Sequence, residues 1–309
     1  MIERIDLTNY KNNYNKTHPK KEKTSKKKAV AAAITGGTIG MAAPAYIVYD
    51  QMHKLTPSEA RLQAHAIRQL MPEVDTLENT KKVSEKILKD SGLEAKKVKI
   101  NFIDDTKESI EHLKDVIHKT VNSKSRFGKR LESNYIETIK AGANAAYCPP
   151  PNEIVVNSKS IYSSVYHELG HAMNGNGNKI SKAIQKAGAI TPLGVSLLAP
   201  LFLATGLCKN PEKNKPKEEQ TKVGKTLDFI SNNAGKLTLA SYIPLLVEEG
   251  SASIRGVKAA SKYLPKDAIK NLKTNYMKAW GSYAATASIV SAGVALGTAV
   301  SNKIREGKK

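Results

Sequence analysis

Apolar residues along this chain fall into two distinct patterns. In four places they run together for about twenty residues, the length a helix needs to cross a bilayer core: Ala29 to Tyr49, Ala187 to Cys208, roughly Leu227 to Val247, and about Trp280 to Val300. Elsewhere they recur at helical or strand spacing between lysines. Gly36 and Gly40 in the first block, and Gly293 and Gly297 in the last, have the spacing of closely packed membrane helices. The third block contains Asn232, Asn233 and Lys236, so it reads as a short helix shielded from lipid or as half of a re-entrant hairpin.

The periodic segments predict a small mixed domain. Thr56-Pro57-Ser58-Glu59 opens a helix with a capping box and runs to about Met71. A second helix spans Leu77 to Lys89 with Val83, Ile87 and Leu88 on its apolar side, and ends near Gly92. Lys97 to Phe102 alternates as a half-buried strand. Ile110, Leu113, Ile117 and Val121 return to helical spacing, and a basic loop is expected around Arg126 to Arg130. Asn144 to Asn157, broken by Pro149, Pro150 and Pro151, reads as two strands and a turn at a sheet edge, either an ordinary edge hairpin or one where Ile154, Val155 and Val156 would bind an extended peptide by strand addition.

Directly after that hairpin comes Tyr166-His167-Glu168-Leu169-Gly170-His171-Ala172. Ser158 or Ser160 would cap its helix, Ile161, Val165, Leu169 and Ala172/Met173 keep the apolar spacing, and Gly175 would stop it. Residues four apart share a helix face, so His167 and His171 both reach one metal ion, with Glu168 beside them as base. A catalytic zinc site needs a third protein ligand. Asn174 and Gly177 stand where a metzincin would have glycine and histidine, which leaves a distant glutamate. In Glu248-Glu249-Gly250-Ser251-Ala252-Ser253, Glu249, Ala252 and Ser253 share a face. Glu249 is the candidate ligand, Glu248 a bystander, and Ala252 a small residue that lets the two helices approach. His112 and His118 are six apart and make no ligand pair. An oxyanion donor is also required, and Arg255 or a nearby tyrosine qualifies without any spacing that selects one.

Composition changes this picture in two ways. The formal charge is +21, from 49 Lys and Arg against 28 Asp and Glu. These cations are spread over every polar segment without the aromatic or glycine interleaving of a nucleic-acid module, so the expected partner is anionic lipid and not nucleic acid. Cys148 and Cys208 lie in unlike surroundings, which excludes a disulfide framework and a cysteine zinc site.

HELGH followed far downstream by E-x-x-A-S resembles the membrane-bound gluzincins: the CAAX prenyl proteases, the HtpX-like heat-shock peptidases and, most closely, the neutral zinc metallopeptidases of bacterial membranes. The resemblance covers roughly residues 135–300 and implies that Glu249 is the third zinc ligand, beside His167 and His171. Ser253 stands where aspartate is commoner. It further implies a metalloendopeptidase in a multi-pass cell-membrane setting.

The expected fold is α+β and mostly helical, a gluzincin-like zinc peptidase domain with a small edge-strand sheet and three to four transmembrane helices. The expected order is a disordered basic tail (1–28), a transmembrane helix (29–49) with a signal peptide as the alternative, and the peptidase domain (50–186). A transmembrane hairpin (187–247) with its Lys-rich loop (209–226), a third-ligand region (248–279), a last span (280–300) and a basic tail (301–309) complete it. Rival readings are a non-catalytic membrane scaffold with a remnant metal site and a basic protein that binds anionic lipid or polymer.

Overall fold

The computed structural model describes residues 74–306, apart from 122–123, 125, 143–144, 160–161, 208–209, 211 and 213–214. The expected tail at 1–28, the block at 29–49, the Thr56 helix and Cys208 lie outside the described residues.

The chain order is α1 (Leu77–Asp90), β1 (Lys99–Ile103), α2 (Lys107–Val121), α3 (Arg126–Lys140), β2 (Ala145–Cys148), β3 (Glu153–Asn157), α4 (Ser164–Gly175), α5 (Lys179–Leu207), α6 (Lys222–Ala260) and α7 (Lys266–Glu306). The fold is mostly helical with one small sheet, as the periodicity predicts. Thr76 caps α1 by accepting the Asn79 N–H at 3.2 Å, and Gly92 closes it with φ +69°, a left-handed conformation that glycine adopts without strain. The segment expected as a basic loop is instead the first turn of α3. Lysine and arginine are good helix formers, and Ile136 and Ile139 bury the same helix, which decides in favour of helix over loop.

The chain forms two compact units. One holds, among the described residues, 74–197 and 239–289. Its sheet has the order β1-β3-β2, with β1 parallel and β2 antiparallel to β3. All five β3 residues are buried. Ile154 and Val156 join a core with Val83, Ile87, Val165, Tyr166, Leu169, Val257 and Leu272, while Val155 points to the opposite face, against Leu113, Val116, Ile117 and Ile139 of α2 and α3. Helices therefore cover both sheet faces. This corrects the expected substrate edge: Ile154, Val155 and Val156 belong to the central strand, with both backbone edges already paired, and the outer strands are β1 and β2.

The other unit comprises, among the described residues, 198–238 and 290–306. Within it Gly235 of α6 lies so close to Ala295 and Ser291 of α7 that a Cβ would come 2.5 Å from the Ala295 methyl carbon, and Ser231 and Asn302 hydrogen-bond each other at 3.2–3.4 Å. Small and hydroxyl residues let these helices touch.

The block at 227–247 and the segment at 248–260 form one continuous helix, α6, with Pro244 inside it. Among the described residues α7 is the one helix long and apolar enough to cross a membrane, by length and composition alone, so the expectation of three to four spans is not supported there. The polar Asn232, Asn233 and Lys236 lower the hydropathy of α6.

Candidate metal centre

Helix α4 carries the two histidines, and its position follows from what surrounds it. Val165, Tyr166, Leu169 and Ala172 face the sheet and are buried. The helix starts at Ser164 instead of near Ser158 or Ser160, its first turn held by Ser163, whose N–H donates to Asp75 Oδ1 at 2.8 Å and whose carbonyl accepts the Tyr276 hydroxyl at 2.7 Å. It ends after Gly175, as read from the sequence.

Opposite the sheet, α4 crosses α6 at glycine contacts. A Cβ on Gly170 would lie 1.9 Å from the carbonyl oxygen of Ala252, and one on Gly256 would lie 2.0 Å from the carbonyl oxygen of Tyr166. The expected close approach at Ala252 is present, but the missing side chains of Gly170 and Gly256 permit it more than the small one of Ala252. Gly188 on α5 leaves similar room for the Glu248 side chain, 2.6 Å from where its Cβ would be.

This crossing brings Glu249 to the histidines. His167 Nε2 and His171 Nε2 are 2.9 Å apart, and Glu249 Oε2 is 3.2 Å from the first and 3.9 Å from the second. Around a tetrahedral zinc with ligands at about 2.0–2.1 Å, donor atoms are separated by about 3.3 Å. The three donors fit such an ion. Both histidines have their other ring nitrogen engaged: His171 Nδ1 lies 2.6 Å from Glu248 Oε1 and His167 Nδ1 lies 3.1 Å from Ser253 Oγ. Carboxylate or hydroxyl partners at Nδ1 fix the ring and direct Nε2 at the metal position, as outer groups do around bound metals.

Glu248 is thus no bystander. It is 4% exposed, and it sits in a chain of contacts in which Ser251 Oγ donates to Asn174 Oδ1 at 2.9 Å and Asn174 Nδ2 approaches Glu248 Oε1 at 3.5 Å. The sequence signal that could have found it is the adjacent acid pair itself: consecutive helix residues point about 100° apart, so one can meet the ion and the other a ligand's far nitrogen.

Glu168 lies beside the histidine pair, with ligand-type atoms of His167, Glu168 and His171 all within 4.8 Å of one another. It is 7% exposed, and its Oε2 accepts the backbone N–H of Tyr147 at 2.7 Å. That N–H belongs to the outer strand β2, on the side turned away from β3. The strand is in turn pinned to the end of α4: Asn176 Nδ2 donates at 3.0 Å to both Tyr147 Oη and Asn152 Oδ1, and the Tyr147 hydroxyl donates to Asn152 Oδ1 at 2.6 Å. Neither Tyr147 nor Tyr276, whose ring packs edge-on against His167 at 5.3 Å, carries any signal in the sequence.

Three carboxylates gather at this buried place. Burial alone would push His171 down, but the Glu248 hydrogen bond and the charges of Glu168, Glu249 and Glu248 outweigh it and raise the imidazole to about 9. A cation is what the site's charge calls for. Arg255 points elsewhere, donating to Ser181 Oγ at 3.0 Å and to the Met173 carbonyl at 3.4 Å, and so ties the end of α4 to the start of α5. His112 and His118 meet Glu153 and Glu132, at 3.0 and 3.2 Å, and take no part in the centre.

No protein-family model, curated protein or solved structure matches this chain.

Proposed function

We propose that this protein is a membrane-associated, zinc-dependent peptide hydrolase. The observation that carries the reading is the convergence of His167 Nε2, His171 Nε2 and Glu249 Oε2 on one point while both histidine Nδ1 atoms are held from behind. His167, His171 and Glu249 would hold the ion, which when bound polarises a carbonyl and lowers the pKa of a water. Glu168 is the proton carrier: it takes a proton from the attacking water and returns it to the leaving amine. The Tyr147 N–H holds its carboxylate in place for both transfers. Peptide supply follows from β2, an outer strand whose second edge has no strand partner among the described residues; an extended substrate adds there beside Glu168, which holds the Tyr147 N–H of that edge.

Membrane association rests on α7 and on the distribution of uncovered apolar side chains. Every exposed large apolar residue among the described ones, such as Leu201, Phe229, Ile243, Ile289 and Leu296, lies on α5, α6 or α7. A multi-pass arrangement belongs to the same reading.

The test is Glu168→Gln. The purified variant should bind zinc with the stoichiometry of the parent, while cleavage of a peptide or casein substrate falls by at least about two orders of magnitude. Undiminished cleavage ends the hydrolase reading.

A further inference from the structure

The turn from α6 into α7 holds a cavity of about 460 Å³ that is separate from the metal centre and lined by Ser261, Leu264, Lys266, Ile269, Lys270, Lys273 and Thr274. Its charge is unusual. Lys266, Lys270 and Lys273 follow one another at i, i+4 and i+7, so their ammonium groups share one helix face, where like charges repel. Lys266 and Lys270 also stand in the first turns of α7, at the end where the helix dipole disfavours cations. Among the described residues, no carboxylate forms an ion pair with any of the three, whereas the neighbouring Lys262 has Asp90 at 3.8 Å. Asp267 lies about 100° around the helix from Lys266 and about 60° from Lys270, forms no ion pair with either, and does not line the cavity. Leu264 and Ile269, both buried, give it an apolar floor. The two hydroxyls donate inward, Ser261 to the Lys258 carbonyl and Thr274 to the Lys270 carbonyl, so the recognition falls to the lysines.

We propose that this cavity binds the phosphate headgroup of an anionic lipid. A phosphate meets three exposed cations that have no ion-pair partner among the described residues, and the apolar floor accepts the first carbons attached to it. Its place on α7 selects lipid over a soluble phosphate. Beyond Lys278 the helix runs from Gly281 to Val300 without a charge, about 30 Å and the thickness of a bilayer core. Trp280, 40% exposed, stands at the start of that run, where aromatic side chains mark the interface. Lys273 lies two turns before it, at the level of the headgroups. The inference does not depend on the hydrolase reading.

The full chain in dodecylmaltoside is titrated, by thermophoresis, with dioctanoylphosphatidylglycerol, dioctanoylphosphatidylcholine and inorganic phosphate. The glycerol lipid should bind saturably, and Lys266→Gln/Lys270→Gln/Lys273→Gln should raise its Kd at least about tenfold. Lys107→Gln/Lys114→Gln/Lys129→Gln removes equal charge from exposed positions elsewhere and should change it less than about twofold. Equal loss in both triple variants, no loss in the first, or choline lipid binding as tightly as glycerol lipid overturns the site. Inorganic phosphate binding as tightly as the glycerol lipid overturns the lipid assignment. Should the first triple variant fail to fold, Lys270→Gln alone is read, and an unchanged Kd counts against the proposal.

Discussion

Glu248 and Glu249 are neighbours of the same type with different tasks, and the difference is one of direction along α6. Glu249 offers its oxygen to both Nε2 atoms; Glu248 reaches behind His171 to Nδ1. Removing a ligand and removing a ligand's support have different magnitudes. Glu249→Ala should abolish stoichiometric zinc binding, while Glu248→Ala should weaken it by about 10- to 100-fold, both read by competition with a chromogenic chelator. Equal, undiminished affinity in both variants would dissolve the proposed centre. A second residue-scale outcome concerns Cys148, whose thiol burial pushes up to about 12. Because its acid form is favoured in the folded protein, reactivity stays suppressed at pH 8 and the stabilising effect is lost only as pH rises above the ordinary thiol range. Iodoacetamide should therefore modify Cys148 in urea and spare it in the native protein, as read by peptide mass spectrometry. Rapid native modification would mean that the α2–α3 side of the sheet is open.

At the scale of elements, what was legible in the sequence was whatever depends on local spacing. The helix over Leu77–Asp90, the alternation at β1 and the Gly175 stop all follow from periodicity and end signals that a single segment carries. The i, i+4 histidine pair was legible for the same reason. Strand order was not, because nothing in Ile154-Val155-Val156 says whether one neighbour or two will pair with it; an uninterrupted apolar triplet is itself the mark of a strand covered on both faces. Neither was the α4–α6 crossing, which depends on Gly170 and Gly256 meeting carbonyls about eighty to ninety residues away in the chain. That crossing sets the ligand geometry, so Gly170→Ala should act through it. A Cβ placed 1.9 Å from the Ala252 oxygen forces the helices apart, at a cost of about 3 kcal/mol or more, and should lower both the melting temperature and zinc affinity. A fully stable Gly170→Ala variant with parental zinc affinity would show that the contact is not needed.

For the whole molecule, the constraint that the sequence could state in advance is connectivity. His171 and Glu249 meet in one centre although α5, the Lys-rich segment and most of α6 intervene, so the chain must return to the side from which it left. Its absolute orientation is not fixed by charge, since lysines flank the apolar stretches on both sides, with Lys258, Lys262 and Lys266 on one and Lys303 and Arg305 on the other. On the proposed membrane reading, two separate arguments predict relative orientation. A shared centre requires the start of α5 and the end of α6 to lie on one face of the bilayer, and α7, where it spans, would carry Lys303 to the other. Single cysteines at Lys182, Lys258 and Lys303, in a background where Cys148 and Cys208 are serine, should be labelled by a membrane-impermeant maleimide accordingly: the first two from one face, the third from the opposite one. Lys182 and Lys258 on opposite faces would make the metal centre impossible. Lys303 on the same face as both would leave the centre intact and remove α7 as a span, and with it the placement of the lysine cavity among headgroups.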